Sequence, residues 1–354
     1  MKKYILITGS LGLVGSESVN FFLKKKFQVL GVDNDKRKFF FGKEGSVKSK
    51  KYLYANDPNY KHYNMDILDF KKINSIFRKF KSKIKLIIHA AAQPSHDWAY
   101  KNPILDYDIN ARSTLHLLEC FKKYSPKSTF IFTSTNKVYG DLVNKFKLKE
   151  QKTRFEILKK NPFFKKGINE KFSIDKSVHS FFGVSKVSAD IYVQEYGKNF
   201  NLNTGIFRCG CITGEMHAGT QAHGFLNYLT KQIVRKKSYE IIGYKGKQVR
   251  DNIHSQDLVN AFWMFFLKPR KGEVYNLGGG RKNSCSVLEA INFLEEKLKI
   301  KVKKKYKNKE RTGDHIWWIS DNSKFQKHYP KWKIQLSLNK ILMRLCKSYI
   351  LNKI

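Results

Sequence analysis

Short apolar runs alternate along the first half of the chain with longer stretches whose apolar positions recur every three or four residues. YILITG (4–9), QVLGVDND (28–35), IKLIIHAAA (84–92) and STFIFTSTN (128–136) read as strands. VGSESVNFFLKKK (14–26), ILDFKKINSIFRKF (67–80) and ARSTLHLLECFKKY (111–124) read as the helices between them. Strands separated by helices of this length need crossovers, and right-handed crossovers lay the strands parallel with helices on both faces. The pattern predicts an α/β fold, a doubly wound parallel sheet of the Rossmann type with a smaller C-terminal substrate-binding lobe. The stretch from Phe39 to Tyr63 breaks the rhythm and reads as a long loop near the cofactor side. After about Thr204 the alternation loosens. We therefore divide the chain into a nucleotide-binding domain over 1–204 and a lobe over 205–354, with the chain returning to the sheet at least once.

Composition narrows the partners. The chain has 354 residues, 41% of them hydrophobic, enough to bury a substantial core. Lys and Arg number 69 against 29 Asp and Glu, a formal charge of +40. The excess is mostly Lys scattered over every segment with no nucleic-acid signature, so it reads as a solvated surface that also attracts anionic substrates, and no specific nucleic-acid partner is expected. Cys120, Cys209, Cys211, Cys285 and Cys346 form no CxxC pair and read as reduced thiols, which places the protein in the cytoplasm. Thr8, Gly9 and Ser10 interrupt the N-terminal apolar run, so no targeting peptide is read there, and no run reaches the roughly 20 apolar residues of a membrane span. No metal site is read.

TGSLGLVGS follows the first strand and opens a helix, with Gly9, Gly12 and Gly15 at G-x-x-G-x-x-G spacing and Leu13 and Val14 at the helix start. Glycines allow the tight turn and a close backbone approach to a pyrophosphate, and the helix N-terminus favours its charge. Asp33 ends the second strand about 20 residues on, where a carboxylate takes a ribose hydroxyl, and this selects NAD. Lys36 and Arg37, just beyond Asn34, are a counter-signal because they could hold a 2′-phosphate. Asp66 and Ile67 can flank the adenine. Ala90, Ala91 and Ala92, followed by Gln93, offer small residues where the backbone passes the cofactor, although tight packing explains them equally well.

TSTNKVYG after the fourth strand, FFGVSK, GKQVRDNIH and RTGDH together resemble the extended short-chain dehydrogenase/reductase family acting on sugar nucleotides, over nearly the whole chain. Within that family the pattern is most similar to the CDP-tyvelose (CDP-paratose) 2-epimerases. The resemblance implies that Thr135 hydrogen-bonds the reacting sugar oxygen and that Lys186 holds the nicotinamide ribose. It places Thr133 and Asn110 beside the cofactor and Asn136 beside the sugar. It also implies that Arg250 and Arg311, with Asp314, bind the nucleotide diphosphate, where guanidinium forks match phosphate oxygens. Sugar-nucleotide 4,6-dehydratases carry Asp-Glu directly after this Thr, whereas here Asn136 and Lys137 stand there, so elimination lacks its acid and base. The expected reaction is oxidation and re-reduction at C2 of a CDP-hexose with NAD, and the expected assembly is a homo-oligomer.

The family's catalytic Tyr, four residues before Lys186, is Phe182 in this chain. A phenyl ring neither accepts nor gives a proton. Three explanations stay open at the level of sequence. His96, next to Asp97 in QPSHDWA, could carry the proton. Thr135, Tyr139, Cys209 or Cys211 could relay it. Or the chain could bind NAD and a nucleotide sugar without turning it over.

Overall fold

The computed structural model describes residues 2–351; Met1 and 352–354, the outer ends of the two expected domains, lie outside the described residues. The chain forms two compact units. The first comprises the residues up to Val138 together with Phe181–Arg208 and Val259–Tyr275. The second comprises Tyr139–Ser180, Cys209–Leu258 and the chain from Asn276 onward.

In chain order, β1 (Tyr4–Thr8), α1 (Leu13–Lys24), β2 (Gln28–Val32), α2 (Arg37–Phe41), β3 (Tyr60–Tyr63), α3 (Phe70–Phe80) and β4 (Ile84–His89) are followed by α4 (His96–Lys101) and α5 (Pro103–Tyr107). A π turn over Asp108–Arg112 leads into α6 (Ser113–Tyr124), and β5 (Thr129–Thr135) completes the first stretch. The second unit then begins with β6 (Leu148–Glu150) and β7 (Phe155–Ile157). The chain goes on through α7 (Phe181–Asn199), β8 (Asn203–Cys209), β9 (Cys211–Thr213), α8 (Phe225–Val234), β10 (Tyr239–Ile242) and β11 (Val249–His254). Next come α9 (Ser255–Leu267), β12 (Glu273–Leu277), β13 (Ser284–Ser286), α10 (Val287–Leu298), β14 (Lys304–Lys307) and β15 (Trp317–Trp318), and then α11 (Ser323–His328) and α12 (Leu338–Leu351).

Seven strands form one sheet in the order β12-β8-β5-β4-β1-β2-β3, with β1, β2, β3, β4 and β5 paired in parallel. The order reverses between β1 and β4, and ligands of open α/β sheets bind outside the carboxyl ends of the strands at such a switch point. The central strands are apolar on both faces because helices cover both: Ile5, Leu6 and Ile7 of β1 and Leu86, Ile87 and Ile88 of β4 are buried. The expected loop from Phe39 to Tyr63 is instead partly ordered: it contains most of α2, two 3-10 turns and β3. β3 escapes a hydrophobic reading because it is an edge strand of sequence YKHY with no fully buried position.

In the second unit, β11 pairs with β13, β15 and β9, while β10 pairs with β14. Apolar faces of α8, α10 and α12 supply a separate core that includes Leu229, Ile291, Leu294 and Leu342. The capping box of Ser286 and Glu289 sets the start of α10, each side chain satisfying the other's backbone donor.

Below the carboxyl end of β5 the first unit holds a buried ion pair. Arg208 Nε and Nη2 donate to the two oxygens of Asp190 at 3.0 and 2.8 Å, and Ser134 Oγ donates to the same carboxylate at 2.6 Å. Asp190 lies on α7 and Ser134 on β5, so the fork fixes the position of that helix on that strand. Removing one member of a buried pair strands the other charge, which costs about 3–5 kcal/mol. Arg208→Met should therefore lower the stability of the first unit by about that amount in urea unfolding, and adding Asp190→Asn should recover a large part; an unchanged midpoint in the single variant would show that the pair contributes nothing.

Candidate functional site

The turn after β1 is built around close approaches. Gly9 has φ +67°, and a Cβ there would lie 2.7 Å from Ala91 N and 2.8 Å from the carbonyl carbon of Ala90. A Cβ on Gly15 would lie 1.9 Å from Gly9 O. The turns after β1 and β4 are therefore pressed together, with the start of α1 against them. Gly12 enters α1 in extended backbone, Leu13 and Val14 form its first turn, and Ser16 N donates to Gly12 O at 2.9 Å. Asp33 closes the turn: its Oδ2 accepts from Leu11 N at 2.9 Å and its Oδ1 from Asp35 N at 2.8 Å. Burial raises its pKa, and these two backbone donors oppose that rise. Each carboxylate oxygen has a further lone pair. A cradle with glycines at its close approaches, beside a carboxylate, fits the pyrophosphate and ribose of a dinucleotide.

The basic residues beyond Asp33 divide between tasks. Lys36 pairs with Asp66 at 2.7 Å, and Asn34 Nδ2 donates to the same carboxylate at 3.2 Å, so the loop after β2 is fastened to the loop after β3. Lys36 is thereby committed to a carboxylate. Ile67 is buried in the core. Arg37 lies over the ring of Phe41 at 4.6 Å, and burial draws its guanidinium down to about 10 against the pull of Asp35 and Asp33. Lys50, which sequence reasoning missed, donates to Leu11 O at 3.1 Å. Burial pulls its ammonium down to about 8. Its motif neighbours gave no sign of it, since only the fold brings it to the glycine turn.

A hydrogen-bond relay links the loops around this turn. Ala91 N donates to Thr8 Oγ1 at 3.3 Å, Thr8 Oγ1 lies 2.7 Å from His89 Nδ1, and His89 Nε2 lies 2.9 Å from Thr114 Oγ1, which donates to Asn110 O at 2.7 Å. Because the Thr114 proton is committed to Asn110 O, His89 Nε2 must be the donor to Thr114, which leaves Nδ1 to accept from Thr8. The imidazole is neutral, and burial, aided by the charge of Lys186, pushes its pKa down to about 3. Asn110 and Gln93 are both buried and exchange bonds: Gln93 N donates to Asn110 Oδ1 at 2.9 Å and Asn110 Nδ2 to Gln93 O at 3.0 Å. Asn110 Nδ2 also reaches Ser185 Oγ on α7 and Asp106 Oδ1, each at 3.0 Å. The side chains of Gln93 and Asn110 thus hold the loop to the helix, and Asp106 and Ser185 join a cluster that no motif announced.

At the end of β5, Lys186 Nζ donates to Thr133 O at 2.8 Å and lies 4.0 Å from the centre of the Phe132 ring. Lys186 is buried, like Asn136, and Thr135 is half-buried with its hydroxyl accepting from Lys137 N at 3.2 Å. Phe182 stands one turn before Lys186 on α7, 7% exposed, and the ring of His96 meets it edge to face at 4.9 Å. Ser95 caps α4 by accepting from Trp98 N, which sets His96 at the first position of that helix, while Asp97 beside it is exposed. The first unit therefore brings His96 against the ring of Phe182, four residues before Lys186.

In the second unit, Arg250 is buried on β11 and pairs with Asp314 through Nη2 and Oδ1. Asp314 N closes a turn on Arg311 O at 3.1 Å, and Arg311 Nη2 donates to Gln221 O at 2.7 Å. These three residues form one neighbourhood. Tyr139 is fully buried with its hydroxyl donating to Asn276 Oδ1 at 2.7 Å, and Cys209 is buried while Cys211 is half-buried.

Sheet order, glycine turn and terminal carboxylate define the first unit as a Rossmann-type dinucleotide-binding fold. A family model described as the NAD dependent epimerase/dehydratase family matches residues 5–278. The chain belongs to that family, whose cofactor is NAD. It is 31% identical over 299 residues to CDP-paratose 2-epimerase of Salmonella typhi, covering 82% of this chain and 83% of that protein. It is 28% identical to UDP-glucuronate 4-epimerase of Thermodesulfobacterium geofontis, over 96% and 94% of the two chains. The fold superposes with a TM-score of 0.77 on UDP-glucuronic acid 4-epimerase of Bacillus cereus in complex with UDP-glucuronic acid and NAD, at 22% identity and over 98% and 99% of the two chains. Among the described residues no helix is long and apolar enough to cross a membrane.

Asp33→Ala should weaken NAD binding to stripped protein by about 1.5–3 kcal/mol, the worth of a hydrogen bond to a charged group. Calorimetric titration giving wild-type affinity would remove Asp33 from the site. For His89 the unfolded chain takes up a proton near pH 6.5 and the folded chain only near 3. Stability contributed by its neutral form is thus present above about pH 6.5 and lost as pH falls below it, by up to about 1.4 kcal/mol per pH unit. Denaturant unfolding at pH 7.5 and 5.5 should show that loss in the wild type and a smaller one in His89→Gln; equal losses would mean that His89 takes up its proton as readily in the fold as in the unfolded chain.

Proposed function

We propose that the protein is an NAD-dependent nucleotide-sugar epimerase that inverts C2 of a CDP-hexose of the paratose and tyvelose type, acting in the cytoplasm in polysaccharide biosynthesis. The observation that carries the reading is the 31% identity over four fifths of the chain to a CDP-paratose 2-epimerase. Asn136 and Lys137 support it, because a dehydratase would need an acid and a base at those two positions. When bound, NAD supplies a hydride acceptor and donor, so that oxidation of the 2-hydroxyl to a 2-keto sugar and return of hydride to the opposite face leave no net redox change.

In this reading the chain's own groups divide the remaining work. Thr135 hydrogen-bonds the oxygen on C2. Lys186 holds the nicotinamide ribose and, through Thr133 O, fixes the end of β5. The proton that leaves the 2-hydroxyl as hydride is removed has no phenolate to accept it, and His96 takes that role from its place against Phe182. The same imidazolium returns the proton when the keto oxygen is reduced. Arg250 and Arg311 bind the diphosphate, with Asp314 orienting Arg250 until phosphate oxygens compete for its fork. We also propose that the protein is a homo-oligomer. Exposed Phe181, Val184, Ile191 and Tyr192 on the outer side of α7 support this.

A second reading, binding of NAD and nucleotide sugar without turnover, is favoured by Phe182 alone. Incubation with CDP-, GDP- and UDP-hexoses followed by NMR at C2 separates the two, and absence of an epimer from all of them would end the enzyme reading. His96→Ala should lower turnover by about 10²–10⁴-fold with nucleotide binding intact. Phe182→Tyr should restore part of that loss, since Lys186 would lower the pKa of the new phenol. Full activity in His96→Ala would return the proton to Thr135 or to the Cys209–Cys211 region.

A further inference from the structure

The segment Arg37–Tyr54 contains α2 and two 3-10 turns over Lys43–Gly45 and Lys48–Tyr54. No residue of α2 is buried, although it contains three consecutive phenylalanines. The segment is held from its ends and by side chains. Phe39 and Phe40 meet the ring of Trp98 edge to face at 5.1 and 5.0 Å, two residues beyond His96 on α4. Ser46 Oγ and Val47 N donate to the carboxylate of Asp35 at 2.6 and 2.7 Å. Lys50 Nζ donates to Leu11 O in the glycine turn, and Tyr54 Oη to Ser16 O in the first turns of α1 at 3.0 Å. Its fastenings therefore fall on segments that follow β1, β2 and β4, at the carboxyl edge where a dinucleotide lies in a sheet of this order.

We infer that Arg37–Tyr54 is a strap across the NAD site, pinned to α4 by Phe39 and Phe40 on Trp98 and to the glycine turn by Lys50, and that it retains the cofactor between turnovers. The inference rests on the family's cofactor and not on the choice of sugar or carbon. Lys50 brings a cation to the turn that faces the pyrophosphate, and its depressed ammonium pKa is the state that a neighbouring anion would reverse. Of the aromatic pins, Phe39 is 62% accessible while Phe40 and Trp98 are half-buried. Contacts of this kind can open without unfolding the sheet, which lets the cofactor enter once and leave slowly.

Release of prebound NADH from the full-length protein into excess NAD, followed by fluorescence, reads the strap directly, with no sugar present. Phe39→Ala with Phe40→Ala should accelerate release by about tenfold or more, because the loss of such contacts appears mainly in the off-rate. Lys50→Met should do the same by loosening the other end. NAD should also slow tryptic cleavage after Lys43 and Lys48 in the wild type. Wild-type release rates in both variants, or cleavage unaffected by NAD, would overturn the strap. Failure of the epimerase assay touches neither measurement.

Discussion

The neutral imidazole of His89 is the joint on which the dinucleotide side of the molecule depends. It accepts from Thr8 at the end of β1 and donates to Thr114 at the start of α6. The threonine hydroxyls carry the same polarity onward, from Ala91 N at one end to Asn110 O at the other. Every donor in that series has one acceptor and none is shared, so the direction of each bond is settled by the next. Reversing one bond would leave two donors facing each other in a buried site, and burial makes that costly. The glycine turn can tolerate its close approaches because this relay holds the turns after β1 and β4 at one separation.

The same economy shows around α7. Asp190 ties the helix to Arg208 on β8 and Ser134 on β5, Ser185 ties it to Asn110, and Lys186 ties it to Thr133 O. These four polar contacts fix the helix that bears Phe182. A phenyl ring held so firmly still does structural work: it gives His96 an edge-to-face partner and limits the imidazole's rotation. A phenyl ring at this position therefore leaves the geometry of the helix intact.

Much of this was legible in the chain itself. β1, β2, β4 and β5 are apolar runs because they are covered on both sides, and the glycine spacing marks its own turn. β3 was invisible, since YKHY at an edge has neither alternation nor full burial. The cluster of Asp106, Gln93, Asn110 and Ser185 was also out of reach, because local spacing reports neighbours on one element and these come from α5, the loop after β4, the π turn and α7. Lys50 and Trp98 belong to no motif of the sequence. Their partners, Leu11 and the Phe39–Phe40 pair, are distant in sequence, and no periodicity predicts such meetings.

The π turn at Asp108–Arg112 gives this arrangement an unusual sensitivity to chain length. An α-helix rotates about 100° per residue, and a π turn carries one residue more than the helical repeat needs. The extra residue sets the phase between Asn110, which faces Gln93 and Ser185, and Thr114, which faces His89. Deleting a single position from this stretch would turn α6 about its axis, so that Asn110 and Thr114 could no longer both meet their partners. Substitutions that keep the length leave that phase alone. Between α5 and α6 the number of residues is thus constrained along with the identity of Asn110.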